Sequence, residues 1–487
     1  MRRITVLFVS ILVVCCHIFS QENRIRGNEI SVLTPYEALY SDGISLFNPH
    51  DSLKGYWLEN WTETTQSIKW NVLVEKAAAY RVEGLMSVEN IGKNDKIEFV
   101  LNAGGAECTC DVSTAGWQRV TFHETVYLPE GCLDIVLKIK NRGLSDITVK
   151  LHSLEFVTPD VYLLKKQEAD AMRADVDWMN DITYGFFFHW NSKSMPMSGE
   201  PLSYEDAVNK FDTDRFAQMV NECGGELVIF TTSWAGYYFP APLETINKIL
   251  PGRTTRRDLI ADLAKSLEKY NIRLMIYYHM GHGDEEWWRQ QCFSRTNSKT
   301  LFSNLEKIIG EIGERYKDQI AGIWMDDGKI YYHNHVPFER INQAAKRGNK
   351  NMAVTFNSWI LPRVTDFQDF YAGELGLSLY AAGVDNPYLP VGSNGYFIGG
   401  PQKGLKATYT GVFEPGEWTH IYKNKPIDIP MYSLTEIETI IKESKARKNL
   451  PIINLRIYQD GTISPYSYEI MRKLKEYCEL NKFYCEK

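Results

Sequence analysis

Beyond its first 20 positions the 487-residue chain has no run of about 20 apolar residues, the length a membrane-spanning helix requires. It lacks an excess of positive charge as well. Net charge is −7, and it becomes −9 without the first 20 residues, which hold Arg2 and Arg3 and no acid. Nucleic-acid affinity comes largely from Lys and Arg neutralising phosphates, so that class of partner is set aside. No internal repeat of fixed period and no low-complexity tract is visible, which excludes solenoids and disordered tails. Cysteine is sparse, nine in all, and C-T-C at Cys108 and Cys110 is too tight for a zinc knuckle and has no second Cys/His pair to accompany it. No metal or other cofactor is expected.

What is present is a globular composition, 44% hydrophobic and 24% charged, with a heavy aromatic load of 12 Trp, 28 Tyr and 22 Phe. Flat apolar ring faces pack in cores and also stack on sugars, which makes sugar binding a first expectation. The N-terminus reads as an export signal over 1–20: Arg2 and Arg3, an apolar run from Ile4 to Phe19, then Ser20 before a polar stretch. This predicts a periplasmic, extracellular or outer-membrane-tethered protein of a bacterium. Cys15 and Cys16 lie where a lipoprotein would be acylated, but Leu12, Val13 and Val14 are bulkier than such sites prefer, so a lipid tether stays an alternative to a cleaved signal. Seven cysteines then remain, and an odd number leaves at least one free thiol. Cys108 or Cys110 with Cys132, and Cys478 with Cys485, are candidate bridges.

From about 30 to 157 the texture is that of strands: SIKWNVLV, DKIEFVLNAG and DITVKLHSLEFV alternate apolar with polar between Gly, Asn and Pro turns. Six or so such runs predict a β-sandwich over 21–160, a candidate carbohydrate-binding module in which Trp57, Trp61, Trp70 and Trp117 either stack on sugar or, as is commoner for tryptophan, fill the core. From about 165 apolar bursts (TYGFFFHW, ELVIFTT, IRLMIYYHM, IAGIWMDD, NMAVTFNSW, FQDFYAGE, KATYTGVFE, NLPIINLRIY) alternate with amphipathic helical stretches. Eight bursts over roughly 310 residues predict an α/β fold, a (β/α)8 TIM-like barrel over 161–487 following the sandwich.

Chemistry in such barrels sits at the C-terminal strand ends. That rule selects His189 and Trp190, Thr232 to Trp234, His279 with His282, Asp326 and Asp327, Asn357, Glu374, and Asn454 with Arg456; Trp418 joins them as a candidate ring for the sugar. Carboxylates, imidazoles and indoles on one rim are what glycoside cleavage requires: an acid, a nucleophile or base, partners for hydroxyls and a stacking ring. Asp326 ends an apolar strand and either faces the pocket or caps the turn that follows, and Asp327 competes for either job. His189 is a hydrogen-bond donor to a sugar hydroxyl or a satisfied histidine at the barrel mouth. His279 and His282 could share a metal, but the spacing lacks a third fixed ligand. Glu374 is a proton donor or a rim carboxylate.

These strand ends, in the order YGFFFHWNSKSMP, FDTDRFAQMVNECGGELVIFTTSWAGY, GRTTRRDLIADLAKSLEKYNIRLMIYYHM, IAGIWMDDG and KNLPIINLRIYQDGTISP along residues 184–465, resemble the α-L-fucosidases of glycoside hydrolase family 29. The resemblance implies a retaining glycosidase in which Asp326 attacks the anomeric carbon, a second carboxyl protonates the leaving oxygen, and His189 contacts the sugar. The family's acid varies in position, which leaves Glu374 as the candidate. Trp190, Trp234, His279, Asp327, Asn357 and Trp418 complete the expected substrate contacts. Two departures stand out. The histidine pair that the family usually carries after the second strand is replaced by Thr232, Ser233, Trp234 and Ala235, and the usual C-terminal sandwich is missing. The expectation is therefore an exported hydrolase of α-L-fucosides or of a related modified deoxy sugar, acting on an oligosaccharide or polysaccharide. The alternatives are a catalytically inactive glycan-binding protein and an endo-acting enzyme on fucose-rich polymer.

Overall fold

The computed structural model describes residues 23–47, 57–144, 146–234, 236–279, 284–291, 298–326, 336–357 and 363–484. The expected export signal, Cys15, Cys16, Ala235, His282, Cys292, Asp327 and Cys485 lie outside them. Two compact units divide the chain, one made chiefly of the residues up to Glu168 and one chiefly of those from Ala169 onward. No helix among the described residues is long and apolar enough to cross a membrane.

The first unit consists of two sheets. In one, Arg24–Ile25, Ser67–Val74, Gly131–Asn141, Ile97–Ala103 and Ala106–Val112 lie in that order; in the other, Gly116–Thr121, Ala78–Glu89, Thr148–Val157, Leu58–Trp61 and Ser45–Leu46. Alternation puts Ile68, Trp70, Val72 and Val74 of one sheet into the same apolar core as Val82, Met86, Leu151 and Leu154 of the other, with a register irregularity between Leu151 and Ser153 turning Leu154 to the same side as Leu151. Trp61 and Trp70 are wholly buried in that core, which removes them as stacking platforms. Trp57 and Trp117 are half-buried and meet edge to face at 5.4 Å, and Phe47 stacks flat on Trp57 at 4.3 Å. The expected bridge to Cys132 does not form: none of Cys108, Cys110 and Cys132 is in a disulfide. The strand Ile97–Ala103 runs between their two strands. Two ladder spacings of ~4.8 Å put the backbones beyond the ~7 Å reach of a disulfide.

The second unit contains seven parallel strands: β1 (Gly185–Phe188), β2 (Leu227–Ser233), β3 (Arg273–His279), β4 (Gly322–Asp326), β5 (Ala353–Phe356), β6 (Thr408–Val412) and β7 (Leu450–Asn454). Their order is β5-β4-β3-β2-β1-β7-β6. The irregular segment 369–374 bonds to both outer strands. Asp369 N donates to Val354 O of β5 at 2.8 Å, while Phe370 and Glu374 bridge in parallel to Lys406 and Thr410 on the β6 side. Gly373 permits this approach: it has φ +62°, and a Cβ there would lie 2.1 Å from Thr408 O.

Helices between the strands begin where side chains satisfy their first N–H groups, as Asp212 does for Arg215 and Asp258 for Ala261, and Ser433 with Glu436 forms a reciprocal box. Each such cap contributes about 1 kcal/mol. The helix Leu259–Glu268 buries Leu259, Ile260, Leu263 and Leu267, its apolar stripe.

Candidate active site

Side chains alternate along a strand, so the residue two beyond an inward apolar one also points inward. Phe187, Tyr277, Trp324, Ala372 and Ile452 all belong to the core cluster of the second unit. Two positions further on, each strand or segment carries a polar side chain: His189, His279, Asp326, Glu374 and Asn454. Asn357 follows Ala353 by the same parity. One polar layer thus crowns the apolar one at the C-terminal ends.

Within that layer Asn357 occupies a central place. Its Nδ2 donates to Asp326 Oδ1 at 3.0 Å and to Glu374 Oε2 at 2.6 Å. The two carboxylate oxygens are therefore no further apart than the sum of these distances. The second oxygen of Asp326 accepts from the Tyr277 hydroxyl at 2.5 Å, and Tyr277 is itself stacked on Trp324 at 5.4 Å. Strand pairing sets His279 beside Asp326.

His189 is buried and surrounded by rings: Phe187 at 4.3 Å, Tyr277 at 5.0 Å, Trp234 at 5.2 Å and Trp418 at 5.3 Å between centroids. Its Nδ1 lies 2.7 Å from Asn454 Oδ1. The Asn454 amide nitrogen donates to Trp418 O at 3.0 Å, which fixes Oδ1 as an acceptor and puts the imidazole proton on Nδ1. Burial pulls the imidazole down to about 4, against the opposing pull of the Asn454 hydrogen bond and the Asp326 charge. At neutral pH the ring is uncharged, and its free Nε2 is an acceptor. The donor role expected from the sequence would need the other tautomer or a charged ring.

Asp326, Glu374, His189, His279, Asn357, Trp234 and Trp418 are thus gathered around one rim, and Asp327 lies outside the described residues. Trp190 is not brought to it. Its indole is buried against Tyr204, Phe211 and Phe230 and donates to Gln459 O at 3.0 Å, because the residue after His189 faces the other way. Thr232 and Ser233 do not substitute for the missing imidazoles. Their hydroxyls are committed to Tyr277 O at 2.7 Å and His279 O at 2.8 Å. Tyr277 went unselected, although its parity with His279 was visible in the sequence.

Two residues beyond β6 lies a fully buried carboxyl, Glu414. It accepts from Arg456 N at 3.0 Å and from the Ser467 hydroxyl, and the Arg456 guanidinium bonds Glu417 O at 2.7 Å. Burial pushes Glu414 up to about 7, with the Ser467 and Arg456 contacts pulling the other way. A carboxyl raised in the folded state holds its proton there after the unfolded chain has lost it. Its contribution is complete below the ordinary value near 4.5 and is lost as pH rises through about 7. Glu414→Gln, neutral at every pH, is expected to gain in melting temperature relative to the parent as pH goes from 5 to 8. A parallel pair of curves in a thermal-melt series would contradict the assignment.

An α/β protein with a carboxylate pair, an imidazole and indoles on one strand-end rim has the equipment of a carbohydrate-active protein. Residues 199–376 match the family model for α-L-fucosidase, and over that span the chain is similar to α-L-fucosidases, as its strand-end motifs imply. The span contains Asp326, Asn357 and Glu374 and leaves out His189, Trp418 and Asn454. No curated protein sequence matches the chain. Solved structures that align with it include an endo-fucoidan hydrolase of glycoside hydrolase family 107, at 14% identity over 65% of this chain and 54% of that one, with a TM-score of 0.47. The chain thus spans about half the length of that hydrolase. A Thermotoga maritima α-fucosidase in complex with fucose aligns at 16% identity over 65% of this chain and 76% of its own, TM-score 0.43. A family 29 α-L-fucosidase from Bacteroides thetaiotaomicron aligns at 14% identity over 63% and 74%, TM-score 0.43.

Proposed function

We propose that the protein is a glycoside hydrolase of the α-L-fucosidase kind, which cleaves α-L-fucosides or a related modified deoxy sugar in complex glycans with retention of anomeric configuration. The observation that carries this is the single amide nitrogen of Asn357 joining Asp326 and Glu374. It bounds the separation of Asp326 Oδ1 and Glu374 Oε2 below the ~6.5 Å at which inverting pairs begin, which supports the ~5–5.5 Å spacing of retaining ones.

Asp326, held as an acceptor on both oxygens, attacks the anomeric carbon. Glu374 gives its proton to the leaving glycosidic oxygen. With Oε2 engaged by Asn357, that proton rides on Oε1. In the second step Glu374 takes a proton from water as the water displaces Asp326. His189 Nε2 accepts from a hydroxyl of the bound sugar, and Trp234 and Trp418 offer ring faces to its apolar side.

The same reading takes the parallel sheet, with 369–374 between its outer strands, as a (β/α)8 barrel over 161–487. It takes the preceding sheets over 21–160 as a sandwich and 1–20 as an export signal. Of the sandwich tryptophans only Trp57 and Trp117 stay available to carbohydrate. The test is a panel of aryl glycosides offered to the purified chain. Turnover of the α-L-fucoside, with aryl glycosides of other sugars left intact, is expected. Turnover of a different sugar in its place would replace the substrate.

A further inference from the structure

An open hollow of about 500 Å³, a size typical of small-molecule sites, lies among the loops at the C-terminal strand ends. Lys193, Arg253, Asp284, Glu285, Glu286 and Arg289 line it, and all of them lie in the loops that follow β1, β2 and β3. Gly236 completes the lining, and it links the hollow to the active site. Its N–H donates to Trp234 O at 2.8 Å, and the indole of Trp234 meets His189 edge-on.

The hollow is built rather than incidental. Buried Asp284 accepts from Tyr237 N at 2.7 Å, from Trp287 N at 3.0 Å and from Arg253 Nη1 at 2.8 Å, which sets the guanidinium over the Tyr238 ring at 4.6 Å. Arg289 and Glu286 pair at 2.7 Å. These pairs cancel in charge. The exposed ammonium of Lys193 and the exposed carboxylate of Glu285 remain, neither with a side-chain partner among the described residues. One donor arm and one acceptor arm, with no net charge, suit the vicinal hydroxyls of an uncharged sugar better than an anionic group.

Position decides which sugar. The anomeric carbon must lie at Asp326 and Glu374, on β4 and the 369–374 segment. The sugar's other hydroxyls face His189 on the opposite side of the sheet order, at β1. The hollow is lined from the ends of β1 to β3, the side that carries His189, and none of its described lining residues comes from β4 or from 369–374, where the leaving group departs. We propose that it is a subsite for an uncharged glycosyl residue attached through a non-anomeric oxygen of the sugar being cleaved, so that the enzyme accepts chains cut internally. This rests on the glycosidase reading above.

The test compares a 4-nitrophenyl α-L-fucoside with the corresponding biosides that carry a second fucose on O2, O3 or O4, using the parent and a Lys193→Ala, Glu285→Ala double variant. For at least one bioside the parent should show kcat/KM at least about tenfold above the monoside, since binding energy from contacts remote from the reacting bond counts towards kcat/KM. The double variant should bring the bioside down to the monoside level with monoside kinetics unchanged. A monoside that is cleaved while every bioside is refused or merely equalled would overturn the subsite alone. Preference for a sulfated bioside over the uncharged one would overturn the assignment of an uncharged residue. Turnover of neither class would overturn the glycosidase reading with it.

Discussion

Asp326→Asn is expected to lower turnover of an aryl α-L-fucoside by at least about 10⁴-fold, the scale on which removal of a covalent nucleophile is felt. The fold should be indifferent to the change. Asn keeps one carbonyl oxygen to accept from Asn357 Nδ2, and its new NH2 can donate to the Tyr277 hydroxyl, which accepts as readily as it donates. The melting temperature should therefore be nearly unchanged. Kinetics and a thermal melt on the same preparation check both parts. Retained activity with an unchanged melt would transfer the nucleophile to the neighbouring Asp327.

Glu374→Ala is the second large effect, and its signature is dependence on the leaving group. A sugar alcohol needs a proton to depart, so the variant should lose about 10²–10⁴-fold in kcat/KM on an oligosaccharide. A 2,4-dinitrophenolate leaves without one, so kcat/KM on that fucoside should fall by less than about tenfold. Release from Asp326 still lacks its base, so kcat should drop and recover when azide is added. Azide needs no deprotonation: its nitrogen bonds to the anomeric carbon as the Asp326 carboxylate departs, giving an α-fucosyl azide after two inversions. Equal losses on both substrates, with no rescue, would remove Glu374 from the proton-donor role and leave it as a partner of Asn357.

The position of residues at the ends of apolar bursts was the most informative feature of the sequence. It selected His189, His279, Asp326, Asn357, Glu374 and Asn454, and the polar layer above Phe187, Tyr277, Trp324 and Ile452 adds to it the period of two along each strand. That period, applied strictly, would have excluded Trp190, because adjacent residues on a strand cannot both face inward. Three features had no local signature. The hydrogen bond between His189 and Asn454 joins residues 265 positions apart and exists only because β1 lies next to β7. The engagement of Glu374 depends on a segment with no regular strand, held against β6 by the left-handed Gly373. The proton position on His189 depends on a carbonyl two bonds away, that of Trp418. Cysteine spacing misled for a related reason. Cys108 and Cys132 are near in the chain, but strand order puts a third strand between them.

Glu414 and His189 also caution against reading a flat pH–stability curve as absence of titration. His189, lowered to about 4, costs stability as pH falls through the range in which Glu414, raised to about 7, restores it. The opposing slopes overlap between about pH 4.5 and 6.5, so only the single variant exposes either.

The central claim, that two carboxylates joined by Asn357 perform a double displacement, is tested most directly by the configuration of the first sugar released. Proton NMR of an α-L-fucoside digest, recorded before the released sugar mutarotates, should show the α anomer appearing first and the β anomer growing in later. The β anomer appearing first would mean a single displacement by water and would contradict the account.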